Sequence, residues 1–270
     1  MNGEPGKLVV QLLGPLSAKL NHQPVVPTAP KQRQILALLA LHAGRTVTTP
    51  MLVEELWGER PPRSFATTIQ TYILQLRAKL AAAARDNAWV RRLLRTTPSG
   101  YQIDARLCQT DVAEFDRLVR AGRQAAGLGD PAATADLLGH ALAHWRGSAL
   151  VDVPTGRVLG AEVAALEETR LGVLERRIEA DLSLHRHADL LGELTMLVAR
   201  HPLNENFCAL LMTAFTRSGR TGCALKAFRR MRAVLRDELG IEPGPRLQRL
   251  QQAILAGRME LESAWFPLAS

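Results

Sequence analysis

The chain has 270 residues, 47% hydrophobic and 22% charged, with 34 Lys/Arg against 26 Asp/Glu for a net charge of +8. That composition suits two globular domains and excludes both a disordered polymer and a membrane-spanning array, because the longest apolar run, residues 35–41, falls far short of the ~20 residues a span needs. Three cysteines, Cys108, Cys208 and Cys223, in no C-x-x-C arrangement argue against a disulfide framework or a zinc site and favour a reducing cytoplasm.

The charge is uneven. Residues 1–105 hold 13 Lys/Arg against 6 Asp/Glu, a net of +7, whereas residues 106–270 hold 21 against 20, a net of +1. A basic domain joined to a neutral one suggests a polyanion binder carrying a module with another task, since phosphate contacts supply affinity through counterion release.

In chain order, residues 1–15 have an early acidic residue and one short apolar run, so no secretory leader is expected. Residues 7–26 are short, β-branched and broken by Gly14, Pro15 and Pro24, the pattern of a small antiparallel sheet. Pro30 opens a helix over residues 31–43, with Ile35, Leu38, Leu39 and Leu41 at helical spacing before Gly44. Thr48 or Thr49 caps a second helix that ends at Trp57 and Gly58. The connector Glu59-Arg60-Pro61-Pro62-Arg63 leads to Ser64, the expected N-cap of a third helix over residues 64–80.

That third helix is unusual on its outer side. Ile69, Tyr72, Ile73, Leu76 and Leu80 share one face, and Thr67, Gln70, Thr71, Leu74, Gln75 and Ala78 share the other. Amides and methyl groups on such a face match base edges in a major groove, amide to adenine and methyl to thymine. The ordinary alternative is a solvated face that happens to hold Thr and Gln. Two β runs then follow, starting at Trp89 and ending at Asp104, with a turn at Pro98-Ser99-Gly100 and with Arg91, Arg92 and Arg95 on or near the hairpin. Strands, three helices and a basic hairpin are the element order of a winged helix-turn-helix.

From Asp111 onward the periodicity is helical, over residues 112–126, 131–145, 158–187, 190–200, 205–217 and 223–239. Residues 209–215, Gly219, residues 224–228 and Pro243 fit paired helices of tetratricopeptide type, a ~34-residue unit. The expected fold is mainly α with a small β component: a winged helix over residues 1–105, a tetratricopeptide-like helical domain over 106–258 and a tail over 259–270.

Chemistry of the catalytic kind finds no support. Glu167-Glu168 and Asp237-Glu238 are adjacent in sequence and so face apart on a helix. His140 and His144 have the i, i+4 spacing of a metal pair but suggest no third ligand. No enzyme, cofactor or metal is expected.

Several stretches resemble a known family. Pro30-Lys31-Gln32-Arg33-Gln34-Ile35, Glu54-Glu55-Leu56-Trp57-Gly58, Gln70-Thr71-Tyr72-Ile73-Leu74-Gln75-Leu76-Arg77 and Gly100-Tyr101 resemble, in order, the OmpR-type DNA-binding domain of the Streptomyces antibiotic regulatory proteins. His201-Pro202-Leu203-Asn204-Glu205 and Leu235-Arg236-Asp237-Glu238-Leu239-Gly240-Ile241-Glu242-Pro243-Gly244-Pro245 resemble the family's bacterial transcriptional activation domain. The likeness is to the short members; longer ones add a nucleotide-binding module, and no G-x-x-x-x-G-K-[ST] occurs here. One departure falls at Thr97, where OmpR-type wings usually carry a basic residue, with Arg95 nearby.

The resemblance implies a cytoplasmic, nucleoid-associated activator of a secondary-metabolite gene cluster. It implies binding to direct repeats of double-stranded promoter DNA, self-association there, recruitment of RNA polymerase holoenzyme including its sigma factor, and no membrane contact. Candidate base readers are Thr67, Thr68, Gln70, Thr71, Leu74, Gln75, Arg77 and Lys79; candidate backbone or wing contacts are Arg63, Arg91, Arg92, Arg95 and Thr97; candidate polymerase contacts are Glu59 and Arg60. Trp57 and Tyr101 are expected in the core. The alternative is a tetratricopeptide-like interaction scaffold whose basic domain binds nucleic acid with weak specificity.

Overall fold

The computed structural model describes residues 6–257, so the expected tail at 259–270 lies outside the described residues. Two compact units divide the chain. One takes in the chain up to Arg117 together with Ala141–Arg170; the other takes in Leu118–His140 and the chain from Leu171 onward. No helix among the described residues is long and apolar enough to cross a membrane.

The first unit begins with β1 (Leu8–Gln11), β2 (Ser17–Leu20), β3 (Gln23–Pro24), α1 (Pro30–Leu41), β4 (Val47–Thr48), α2 (Thr49–Trp57) and α3 (Phe65–Ala84). It continues through α4 (Asn87–Leu93), β5 (Leu94–Thr97), β6 (Gly100–Ile103) and β7 (Cys108–Thr110) into α5 (Asp111–Gly127). Leu8 and Val10 turn inward and Val9 outward, the period-2 pattern of a half-buried strand. The first sheet has the order β3-β2-β1-β7, with β7 running parallel to β1 and Leu8 opposite Cys108. That last strand has only three residues and no distinct pattern in the sequence. The second sheet, β4-β6-β5, is antiparallel, and Gly100 is required there because a Cβ would sit 2.1 Å from the Val47 carbonyl oxygen.

Two helical expectations are corrected. α3 continues past Leu80 through four alanines, the best helix formers, and stops at Arg85 in the left-handed region at φ 56°. Ser64 occupies its N-cap position without a side-chain hydrogen bond. Residues 89–93, read as the start of a β run, instead form α4: Asp86 Oδ1 accepts from the Trp89 amide at 3.0 Å, and Trp89, Val90 and Leu93 bury at helical spacing. The hairpin is therefore only β5 and β6, and Arg91 and Arg92 sit on a helix in front of it.

One core joins all these elements to residues from much later in the chain. Ile35, Leu38, Leu39, Leu52, Ile69, Ile73, Trp89 and Leu93 pack with Leu150, Val153 and Leu159. Tyr101 is in that core as expected, while Trp57 is half-buried with the Lys31 ammonium 4.5 Å from its ring centroid. Polar contacts reinforce the join. Glu55 is 2% exposed, and its carboxylate accepts from the amides of Gly156 at 2.6 Å and Leu159 at 2.8 Å, at the start of α7 (Arg157–Ser183), and from Gln34 Nε2 at 3.1 Å. A negative charge at a helix N-terminus meets unpaired amides and the positive end of the dipole. Gly156 permits the approach, since a Cβ would lie 2.1 Å from the Glu55 carbonyl oxygen. Asp111 plays a similar part for the amides of Leu12 at 2.7 Å and Leu13 at 3.0 Å, and Asp152 for that of Leu16 at 2.7 Å.

The second unit is helical: parts of α5, α6 (Pro131–Leu142) and α7, then α8 (Leu191–Arg200), α9 (Glu205–Arg217), α10 (Thr221–Leu239) and α11 (Pro245–Leu255). Small residues set the spacing, as at Gly122, where a Cβ would come 2.5 Å from Leu138 Cδ2. Cys208, Met212, Phe228, Met231, Leu247 and Leu250 form one cluster and Ile178, Leu182, Leu194, Phe207 and Leu211 another. The segment 235–245 proves to be a helix connector. Gly240 ends α10 at φ 71°, Glu242 accepts from Arg232, Glu205 accepts from the Gly244 amide at 2.8 Å, and Pro245 begins α11.

Replacing Glu55 by Ala strands the amides of Gly156 and Leu159 and the Gln34 side chain. Urea unfolding should register a loss of about 3 kcal/mol, and a loss below about 0.5 kcal/mol would contradict the role given to this carboxylate.

Candidate nucleic-acid interface

The outward face of α3 is assembled as its periodicity requires. Ile69, Ile73, Leu76 and Leu80 are buried, while Thr67, Gln70, Thr71, Leu74, Gln75, Ala78 and Lys79 are exposed and Thr68 and Arg77 half-buried. Leu74 is 62% exposed and sets a large apolar group among these polar side chains. The Thr68 hydroxyl donates to the Ser64 carbonyl and the Thr71 hydroxyl to the Thr67 carbonyl, both at 3.0 Å. Their protons are spent along the helix, so toward a partner each offers a methyl group and a lone pair. The Gln70 side chain makes no hydrogen bond with any described residue, whereas Gln75 Oε1 accepts from Gln32 Nε2 of α1.

The cations divide into free and committed groups. Arg63, Lys79 and Arg91 are exposed and without a protein partner among the described residues. Arg77 is committed: its Nε and Nη2 donate to the Leu94 carbonyl at 3.2 and 2.9 Å, and Nη2 also to Thr96 Oγ1 at 2.9 Å. It ties the middle of α3 to strand β5. Arg95 donates to the Arg92 carbonyl at 3.1 Å and to Asp104 Oδ2, so its charge is offset. The Arg106 side-chain and backbone hydrogen bonds, with further help from Arg95, hold the Asp104 carboxyl below its usual 3.8. Thr97, placed among the wing contacts by sequence, has its hydroxyl buried without a hydrogen-bond partner among the described residues, which removes that atom from the surface.

Between α3, α4 and β5 runs a groove of about 770 Å³, bounded by Leu74, Arg77 and Ala78 on one side and by Asn87, Arg91, Arg95 and Thr96 on the other. The outward side of α3 thus holds Leu74 and the amides of Gln70 and Gln75, and the adjoining groove is lined by Arg77, Arg91 and Arg95, of which Arg91 has no protein partner among the described residues. Such a face can hold a polyanion by charge and sort it by hydrogen bonds and methyl contact. Glu59 and Arg60 stand apart, exposed in the turn between α2 and α3. Sequence reading missed Gln32 and Asn87. Gln32 lies on a different helix from the face it serves, and Asn87 opens a helix that the pattern of residues 89–95 concealed.

No group of three or more His, Cys, Asp or Glu that could hold a metal occurs among the described residues. The thiols of Cys108 and Cys208 are pushed up to about 12, by burial first in each case, and so are inert as nucleophiles.

Known proteins resemble this chain along most of its length. Residues 22–103 match the family model described as transcriptional regulatory protein, C terminal, and residues 110–255 match the bacterial transcriptional activator domain. The chain is 50% identical over 248 residues to regulatory protein DnrI of Streptomyces peucetius, covering 91% of each chain. It is 38% identical over 252 residues to transcriptional regulator RedD of Streptomyces coelicolor, covering 93% of this chain and 71% of that one. Among solved structures, Mycobacterium tuberculosis EmbR in complex with a low-affinity phosphopeptide superposes with a TM-score of 0.85 at 34% identity, over 93% of this chain and 65% of that one.

Arg77→Ala removes three hydrogen bonds between α3 and β5 while leaving the core intact. Hydrogen exchange at the ladder amides of residues 94–97 should accelerate by about tenfold or more, with little change in α9 and α10; uniform protection in both places would refute the tether.

Proposed function

The chain belongs to the Streptomyces antibiotic regulatory protein family of transcriptional activators, whose members are regulators and not enzymes, and from that premise we propose a division of labour along its length. Residues 1–105 read promoter DNA. Residues 106–258 form the activation domain, and the controlled genes are those of a secondary-metabolite cluster. The observation that carries this reading is the outward face of α3, where Gln70, Thr71, Leu74 and Gln75 stand together beside a basic groove.

The mechanism follows from the chemistry of that face. α3 enters the major groove; Gln70 and Gln75 meet base edges, Leu74 and the Thr71 methyl meet thymine methyls, and Thr67, Thr68 and Lys79 flank them. Arg63 and Arg91 engage phosphates, with Arg92 beside them, and Arg77 holds the wing at its working distance. Arg95 contributes less than its charge suggests, because Asp104 shares it. With Arg77 and Arg95 engaged inside the protein, one copy binds modestly, and two copies stand head to tail on direct repeats, a heterologous contact. The Glu59-Arg60 turn and the helical domain then face RNA polymerase holoenzyme and its sigma factor. This work belongs in the cytoplasm, on the nucleoid.

Gln70→Ala and Gln75→Ala should each relax preference by ~1–3 kcal/mol at one base pair, whereas Arg91→Ala should weaken all sequences alike and lower the salt slope by ~1. Titrations on matched and randomised duplexes read both effects, and equal losses on the two duplexes for the Gln variants would reject the assignment. Substituting Arg60 or Glu59 should depress transcription in a reconstituted assay without changing DNA affinity; parallel loss of both would reject polymerase contact by this turn.

A further inference from the structure

We propose that Gln32, in the first turn of α1, decides which base Gln75 can read, turning Gln75 into a hydrogen-bond donor that favours guanine over adenine. The proposal rests on the reading of α3 as the base-contacting helix. Its observation is the hydrogen bond from Gln32 Nε2 to Gln75 Oε1, a contact between a half-buried residue of α1 and an exposed residue of α3.

Gln32 is held in place by its neighbours. Pro30 sets the start of α1, Lys31 places its ammonium 4.5 Å from the Trp57 ring centroid, Arg33 pairs with Asp152, and Gln34 donates to Glu55 at 3.1 Å. The backbone of the turn is thus fixed on several sides, and the Gln32 amide reaches Gln75 from a defined direction.

A free glutamine amide reads adenine with both ends: its oxygen accepts from the N6 amine while its nitrogen donates to N7. Gln75 has its oxygen turned toward α1 and one of its two lone pairs engaged by Gln32, so a base amine must reach past α1 for the other, and the end of the amide left for the partner is its two N–H groups. Guanine offers two acceptors, O6 and N7, and no donor in the major groove. An amide that presents its nitrogen therefore suits guanine and loses half of its contact with adenine. Gln70, five residues earlier, has no hydrogen-bond partner among the described residues and keeps both ends. The two glutamines of one helix are set to different bases by a residue outside that helix.

Selection of bound sequences from a randomised duplex pool, using the full chain and its variants, tests this. The base pair read by Gln75 is the one whose preference disappears in Gln75→Ala, and the wild-type chain should enrich guanine there. Gln32→Ala frees the oxygen and should move the guanine-to-adenine ratio at that pair by ~10-fold toward adenine, with other positions unchanged. Gln32→Glu offers only acceptors, turns the Gln75 nitrogen inward and its oxygen outward, and should enrich cytosine, whose N4 amine donates. A purely structural role for Gln32 would lower affinity at every sequence and shift no base. Retention of the wild-type base by both Gln32 variants, or adenine at that pair in the wild type, overturns the proposal and leaves the α3 reading standing. Failure of the wild type to enrich any motif, or of Gln75→Ala to erase one, defeats that reading and the proposal with it.

Discussion

The buried carboxylate of Glu55 is the constraint on which the first unit depends. Taking a carboxylate out of water costs several kcal/mol unless its oxygens are met, and here two helix-terminal amides and one side-chain amide meet them. Its partners come from places far apart in sequence: Gln34 on α1, and Gly156 and Leu159 at the start of α7. The arrangement works only with glycine at 156, where any Cβ would strike the Glu55 backbone. Asp111 and Asp152 repeat the device on the loop after β1, so three carboxylates fasten residues 111 and 141–170 to the winged helix.

The first turn of α1 distributes that constraint. Four consecutive side chains leave it in four directions: Lys31 to Trp57, Gln32 to Gln75, Arg33 to Asp152 and Gln34 to Glu55. One helical turn thereby touches α2, the exposed side of α3 and the segment that follows α6. Charge is divided with similar economy. Arg77 and Arg95 bond to the wing and its base, whereas Arg63 and Arg91, proposed for phosphate, have no protein partner among the described residues. Pairs with exposed ends contribute ~0–1 kcal/mol, so these internal uses matter more for holding the wing's geometry than for stability.

Much of this was legible in the residues. The periodicity of α3 and the Gly100 turn gave the winged helix because local propensity and burial agree there. The outward set from Thr67 to Lys79 was legible for the same reason. Residues 89–93 were not, since Trp, Val and Leu suit strand or helix, and only the Asp86 cap decides. The three-residue strand β7 and the membership of residues 141–170 in the first core were also hidden, for both rest on pairings across about a hundred residues. The use of Arg77 and Arg95 inside the protein could not be seen either: a basic residue reads the same whether it serves a phosphate or a carbonyl.

In the proposed division of labour α3 selects sequence while the surrounding cations supply affinity. The direct test measures binding of the full chain to a selected duplex and to a shuffled one from about 50 to 200 mM salt. Both affinities should fall in parallel as salt rises, while the selected duplex keeps an advantage of at least ~100-fold throughout. Equal affinity for the two duplexes at every salt concentration would contradict it.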